Sequence, residues 1–175
     1  AMYCHMLEEA IAKAQSGKPA EPERQDTVME IHVDAFIDDE YISNGGQKIE
    51  MYQRMALLRT EEELNALAAE LEDRYGKPTK PVQTLLQATK LRLQAQDQHI
   101  VLISQKRDVL ELKWQYPNLL PKANQLDISL RRRVRPVPGN PLMLRVSLAN
   151  TPDILTLLSE LLTTFSKLRK GNPLE

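Results

Sequence analysis

Cysteine is nearly missing from this chain: Cys4 stands alone, so no intramolecular disulfide can form and the ligand set of a structural zinc site is lacking. A reducing compartment follows as the natural setting. No apolar run approaches the roughly 18 residues needed to span a bilayer. The opening residues carry Glu8, Glu9 and Lys13 and do not make a signal peptide. Glycine is scarce as well, and no P-loop, GxGxxG or G-x-S-x-G pattern is present. A basic excess is also absent. With 23 Lys+Arg against 24 Asp+Glu the formal net charge is -1, which argues against a domain built mainly to neutralise a phosphate backbone.

What is present suits one globular domain with a short arm. The 175 residues are 42% hydrophobic and 27% charged, enough for a core and too apolar for disorder. Residues 1–17 read as an amphipathic helical arm, with Tyr3, Met6, Leu7, Ala10, Ile11 and Ala14 near an i, i+3, i+4, i+7 stripe. A helix starting without a cap after Ala1 is expected of a piece of a larger protein. Residues 18–27, charged and proline-containing, form the expected linker; residues 28–170 form the main domain and 171–175 a tail.

From Val28 to Phe36 the period becomes 2, with Met29, Ile31, Val33 and Ala35 on one face of an expected strand. Asn44-Gly45-Gly46 breaks the chain before a helix of about residues 47–58, with Ile49, Tyr52 and Ala56 on one side. Thr60 and Glu63 make a capping box that opens a helix striped by Leu64, Leu67, Ala68, Leu71 and Tyr75, closed by Gly76 and Pro78. The helix of residues 79–97 repeats the stripe with Val82, Leu85, Leu86, Thr89 and Leu93. Strands are then expected at Ile100–Ile103, at Leu110, Leu112 and Trp114, at Leu126, Ile128 and Leu130, and at Leu142, Leu144, Val146 and Leu148. Short connections favour antiparallel pairing. Thr151-Pro152-Asp153 supplies an N-cap, a proline at N1 and a first-turn acid for a last helix with a wide apolar face. The order predicts an α+β fold: an antiparallel sheet of about five strands covered by helices.

Catalytic constellations do not emerge. Gly45-Gly46 precedes a helix, where a phosphate could bind, yet no lysine-serine or lysine-threonine follows; a hinge or N-cap is the plainer reading. His5, His32 and His99 fall on different elements. His32 lies with Glu30 and Asp34 on the polar side of a strand, a metal cluster by residue type but a solvated face by alternation. Cys4 and His5 are adjacent, and adjacent helical residues point about 100° apart, which does not suit a nucleophile–base pair. Arg131, Arg132, Arg133 and Arg135 form the one notable basic run. On a strand Arg131, Arg133 and Arg135 would share a side, either as a contact for nucleic acid or an acidic partner, or as a solvated strand end. Aromatics that would stack bases are not interleaved with them. Glu70, Asp73 and Arg74 cluster on the helix face away from Leu64, Leu67, Leu71 and Tyr75, with Glu70 and Arg74 spaced for an intrahelical ion pair.

Three stretches carry a resemblance. Tyr52-Gln-Arg-Met-Ala, running on to Leu64, is followed by Glu70-Leu-Glu-Asp-Arg-Tyr-Gly76 and then Pro78, while Tyr3-Cys-His-Met-Leu-Glu-Glu-Ala-Ile11 opens the chain. Together they resemble the C-terminal domain of the bacterial transcription-repair coupling factor (Mfd) family, in which Y-x-R-(I/L/M)-A precedes E-L-x-D-R-(F/Y)-G and a proline-containing turn. The resemblance runs from residue 2 to about 104 and rests on element order beyond that. It implies a cytoplasmic bacterial parent that uses ATP and Mg to translocate on double-stranded DNA, displaces stalled RNA polymerase and recruits UvrA in nucleotide excision repair. The arm would end that parent's motor region. The domain itself would be no enzyme and hold no cofactor. It would pack on the parent's UvrB-like module and mask UvrA binding, an autoinhibitory role, with Glu70, Asp73 and Arg74 at the contact. Nucleic-acid binding through Arg131–Arg135 stands as the alternative, and a small unrecognised hydrolase as a third reading without a constellation to support it.

Overall fold

The computed structural model describes residues 25–171. The expected arm at 1–17, with Cys4 and His5, and the linker as far as residue 24 lie outside the described residues. Thr27, placed by sequence at the end of the linker, is buried and donates its hydroxyl to the Ile100 carbonyl, so it belongs to the folded body.

Strand β1 (Val28–Glu30) is followed by irregular backbone to residue 44, then by helices α1 (Gly45–Ala56), α2 (Glu61–Tyr75) and α3 (Lys80–Asp97). Strands β2 (Ile100–Lys106) and β3 (Val109–Trp114), a short helix α4 (Ile128–Arg131), strands β4 (Val134–Val137) and β5 (Asn140–Ser147) and helix α5 (Ile154–Gly171) complete the order. The strands form one sheet in the order β1-β2-β3-β5-β4. It is mixed rather than wholly antiparallel, because β1 pairs parallel with β2 across the three intervening helices. The α+β class and the five strands are as expected.

Two apolar layers hold this arrangement. The first packs one sheet face, through Ile103, Leu110, Leu112, Trp114, Leu144 and Val146, against Leu91 and Ala95 of α3 and Leu158, Leu161, Leu162 and Phe165 of α5. The Trp114 and Phe165 rings meet edge to face at 5.7 Å. The second layer is helical: Met51 and Met55 of α1, Leu64, Leu67 and Leu71 of α2, and Val82 and Leu93 of α3 close over Ile37, Tyr41 and Ile42. Helix α3 therefore belongs to both.

Several expectations shift for identifiable reasons. Hydrogen-bonded strand stops at Glu30, yet alternation persists: Ile31, Val33 and Ala35 are half-buried while His32, Asp34 and Phe36 are exposed. On α1 the side predicted to be apolar faces out. Ile49 is 60% exposed and Tyr52 39%, because Met51, Met55 and Leu58 supply the packing face instead. Residues 126–130 are no strand. Leu126 and Leu130 are both buried and Ile128 is 61% exposed, a spacing of four that belongs to a helical turn, whereas a strand would bury all three. Asp127 caps that turn by accepting from the Ile128 N–H and the Ser129 hydroxyl. The missing strand is β4, which contains Pro136; an edge position tolerates it, since a proline with no N–H breaks no interior ladder. The last helix is capped by Asp153, whose carboxylate accepts from the Leu155 N–H at 3.1 Å and the Thr156 hydroxyl at 2.7 Å. Thr151, the expected cap, instead accepts from Arg133.

Candidate protein-contact site

The two motif stretches meet in the helical layer, where several of their positions have a physical task. Tyr52 accepts the Ile37 N–H on its hydroxyl at 2.7 Å, tying α1 to the irregular segment before it. Leu71 is buried at 1% exposure. Tyr75 donates to Gln47 at 3.1 Å and lies 5.7 Å from the ring of Tyr41, whose own hydroxyl donates to the Gly76 carbonyl. Gly76 ends α2 at φ 85°, a left-handed conformation open to glycine at little cost. Asn44 caps α1, accepting from the Gln47 N–H at 3.0 Å. The Gly45-Gly46 pair is thus the first turn of a capped helix; the lysine that follows, Lys48, is paired with Asp39 and precedes Ile49 rather than a serine or threonine.

On the outer side of this frame Glu70 is half-exposed and Asp73 and Arg74 are exposed. They do share a face, but Glu70's main partner is not Arg74. Arg54, from α1, grips the Glu70 carboxylate with both terminal guanidinium nitrogens, Nη2 at 3.1 Å, while the Arg74 guanidinium stands off at 3.7 Å. A bidentate fork fixes the carboxylate in plane and direction as a single ammonium would not. The Arg54 bond, with smaller help from Arg54 and Arg74 charge, holds the Glu70 carboxyl below its ordinary value, against a desolvation effect of opposite sign. The same bond raises Arg54. Arg74 also lies over the Tyr75 ring, 5.2 Å from its centre. Asp73 makes no ion pair among the described residues, so the face offers one outward carboxylate beside an ordered Arg–Glu–Arg row.

Sequence reasoning missed Arg54 as part of this face. The signal was there: Arg54 is the arginine of the Tyr52–Ala56 motif, and two motifs quoted together are candidates for contact with each other. Elsewhere the sequence candidates separate. Glu30, His32 and Asp34 are all exposed, and among the described residues no three His, Cys, Asp or Glu side chains are grouped to hold a metal ion. His99 sits at the turn between α3 and β2 with φ 61°. The arginine run is split between elements. Arg131 donates to the Asn124 and Leu126 carbonyls from α4, and Arg133 to the Ser147 and Ala149 carbonyls and to Thr151. Only Arg135 lies within β4.

Comparison with known proteins identifies the family. The TRCF domain model matches residues 31–124. The chain belongs to the TRCF domain family. The transcription-repair-coupling factor of Bacillus subtilis is 36% identical over 111 residues, covering 63% of the chain and 9% of that protein. Its counterpart in Escherichia coli is 33% identical over 98 residues, 54% of the chain and 8% of the protein. The chain thus spans about a tenth of the length of these relatives. Among solved structures, the C-terminal domain of a transcription-repair coupling factor has the same fold, with a TM-score of 0.68 at 18% identity, covering 85% of this chain and 96% of that one. The homologues named are bacterial, and among the described residues of this TRCF domain no helix is long and apolar enough to cross a membrane.

Proposed function

We propose that this TRCF domain is a non-catalytic regulatory module of a longer cytoplasmic protein, and that it packs on the UvrB-like module of its parent and masks the surface used by UvrA. The observation that carries the reading is the Arg54–Glu70–Arg74 row, with Asp73 beside it, ordered by neighbouring motif residues yet facing outward. An ordered row of alternating charge has already lost much of the side-chain freedom that binding would otherwise remove. It presents charges of both signs in fixed register, which favours one docking geometry over others. An intrahelical ion pair for helix stability alone would need only Glu70 and Arg74. Recruiting Arg54 from a second helix makes a platform.

The parent's ATP and Mg chemistry, its translocation on DNA and its contact with RNA polymerase are assigned to other parts of that protein. Release of the domain from the UvrB-like module would then expose the UvrA surface, a two-state switch whose bistable element is an interface. The test is to add the isolated domain in trans to a parent lacking it and to measure UvrA binding. Suppression of binding that saturates with added domain is expected. UvrA binding that is indifferent to the domain at any concentration contradicts the reading.

A further inference from the structure

The sheet face turned away from α3 and α5 carries a row of residues in register: Glu30, Ser104, Glu111, Arg145 and Arg135, from one edge to the other. Towards the β4 edge this row opens into a groove of about 560 Å³ lined by Arg133, Arg135 and Arg145 over Val109, Pro136 and Pro138. No carboxylate lines it. The charge balance of the groove is one-sided. Arg133 is held by two main-chain carbonyls and a hydroxyl, which fix its position without neutralising it. Arg135 makes no ion pair among the described residues. Arg145 shares the single carboxylate of Glu111, at 3.6 Å, with Lys106 at 3.5 Å. Among the described residues two cations thus divide one anion, and two more have none.

The pairing of Arg135 with Arg145 is itself a cost. They stand directly opposite each other on adjacent strands, where like charges repel, and among the described residues no ion pair offsets this for Arg135. A local rule broken without an internal return is the mark of a site that completes itself on a partner. A carboxylate seated between the two guanidinium groups would turn the repulsion into two charge-assisted contacts.

We infer that this groove docks an acidic protein segment, one with Asp or Glu interspersed among apolar residues. The floor decides the class of partner. Val109, Pro136 and Pro138 offer apolar surface with no aromatic ring on which bases could stack, and Glu111 and Glu30 interrupt the positive row that a phosphate backbone would follow. The surface is distinct from the α2 face and does not rest on the contact proposed there. Augmentation at the β4 edge is disfavoured by Pro136 and by the irregular register beside it, so the partner lies on the face and not along the edge.

The test uses the isotope-labelled chain titrated with a short peptide alternating Glu and Asp with Leu and Val. The same peptide with Lys in place of its acids, and a mixed-sequence DNA duplex, serve as comparisons. Amide shifts confined to Val109, Arg133–Gly139 and Arg145–Ser147 are expected with the acidic peptide alone, and Arg135→Glu should weaken it about tenfold. Arg135→Gln, which adds no negative charge, should weaken it less and guards against a folding defect in the first variant; the melt of both is recorded. The inference is overturned by an acidic peptide that leaves this face unshifted, by an affinity that either folded variant leaves unchanged, or by a duplex that binds this face more tightly than the peptide.

Discussion

Arg54 in the helical layer and Arg131 and Arg133 beside the sheet are held in different ways. In the helical layer the ordered outward arginine is met by a carboxylate: Arg54 grips Glu70, and both remain at the surface. In the sheet layer Arg131 and Arg133 are bound to main-chain carbonyls, and Arg133 reaches across from the start of β4 to the turn before α5. A carboxylate partner leaves an arginine available for exchange with a docking surface, because one ion pair can be traded for another. Carbonyl partners make Arg133 part of the frame, since removing it takes a donor from the part-buried Ser147 carbonyl. Arg54 is therefore adjustable where Arg133 is structural.

The comparison can be broken most severely at the cores. Trp114→Ala in the sheet layer should cost about 3–5 kcal/mol and Leu71→Ala in the helical layer about 2–5 kcal/mol, both read from denaturant unfolding. Because α3 contributes Leu91 and Ala95 to one core and Val82 and Leu93 to the other, each variant should still unfold in a single transition. A two-step melt would show that the layers are separate units.

The next effect sharpens the contrast between arginines. Arg133→Ala should cost about 1–3 kcal/mol by taking the arginine donor from the part-buried Ser147 carbonyl, while Arg54→Ala, which removes a solvent-screened pair, should shift the melt least of all the variants named. Equal shifts would erase the distinction.

An intermediate effect is expected from Asp153→Ala, which uncaps α5 and should cost about 1 kcal/mol. The Thr156 hydroxyl, with the Leu155 and Thr156 N–H groups, holds the Asp153 carboxyl below its ordinary 3.8. A group depressed in the folded state stabilises above its unfolded value and loses that contribution as pH falls through its folded value. The gap between wild type and Asp153→Ala should therefore close below pH 3.8 and stay constant above the carboxylate range. Glu70, held below its ordinary 4.5 by Arg54, shifts in the same sense, with a smaller effect because the pair is exposed.

Legibility in the sequence divided along the same line. Leu64, Leu67 and Leu71 announced their packing by spacing, and Leu144 with Val146 did so by alternation, since each face is buried against one surface only. Failure came where a short run admits either period. Leu126, Ile128 and Leu130 fit alternation, yet the Asp127 carboxylate, steadied by the Ser129 hydroxyl, takes the Ile128 N–H and caps a helical turn there. Strand β4 was hidden by Pro136, which reads as a loop unless the strand is known to be an edge. The α1 stripe misled because Ile49 and Tyr52 are apolar and stay exposed, a burial choice that tertiary packing of Met51 and Met55 makes. The outward direction of Asp73 and Arg74 was legible from helix geometry. The grip of Arg54 on Glu70 was not, because it joins residues 16 apart on different helices and no local period encodes that distance.

The most direct test of the proposed masking is the triple change Glu70→Ala, Asp73→Ala and Arg74→Ala in the full-length parent, read by UvrA affinity without RNA polymerase present. With the melt of the isolated triple variant little changed, UvrA binding should tighten about tenfold or more, as expected when an interface that masks it loses its charges. An unchanged UvrA affinity in a normally folded variant would contradict the account and return these residues to an ordinary surface ion pair.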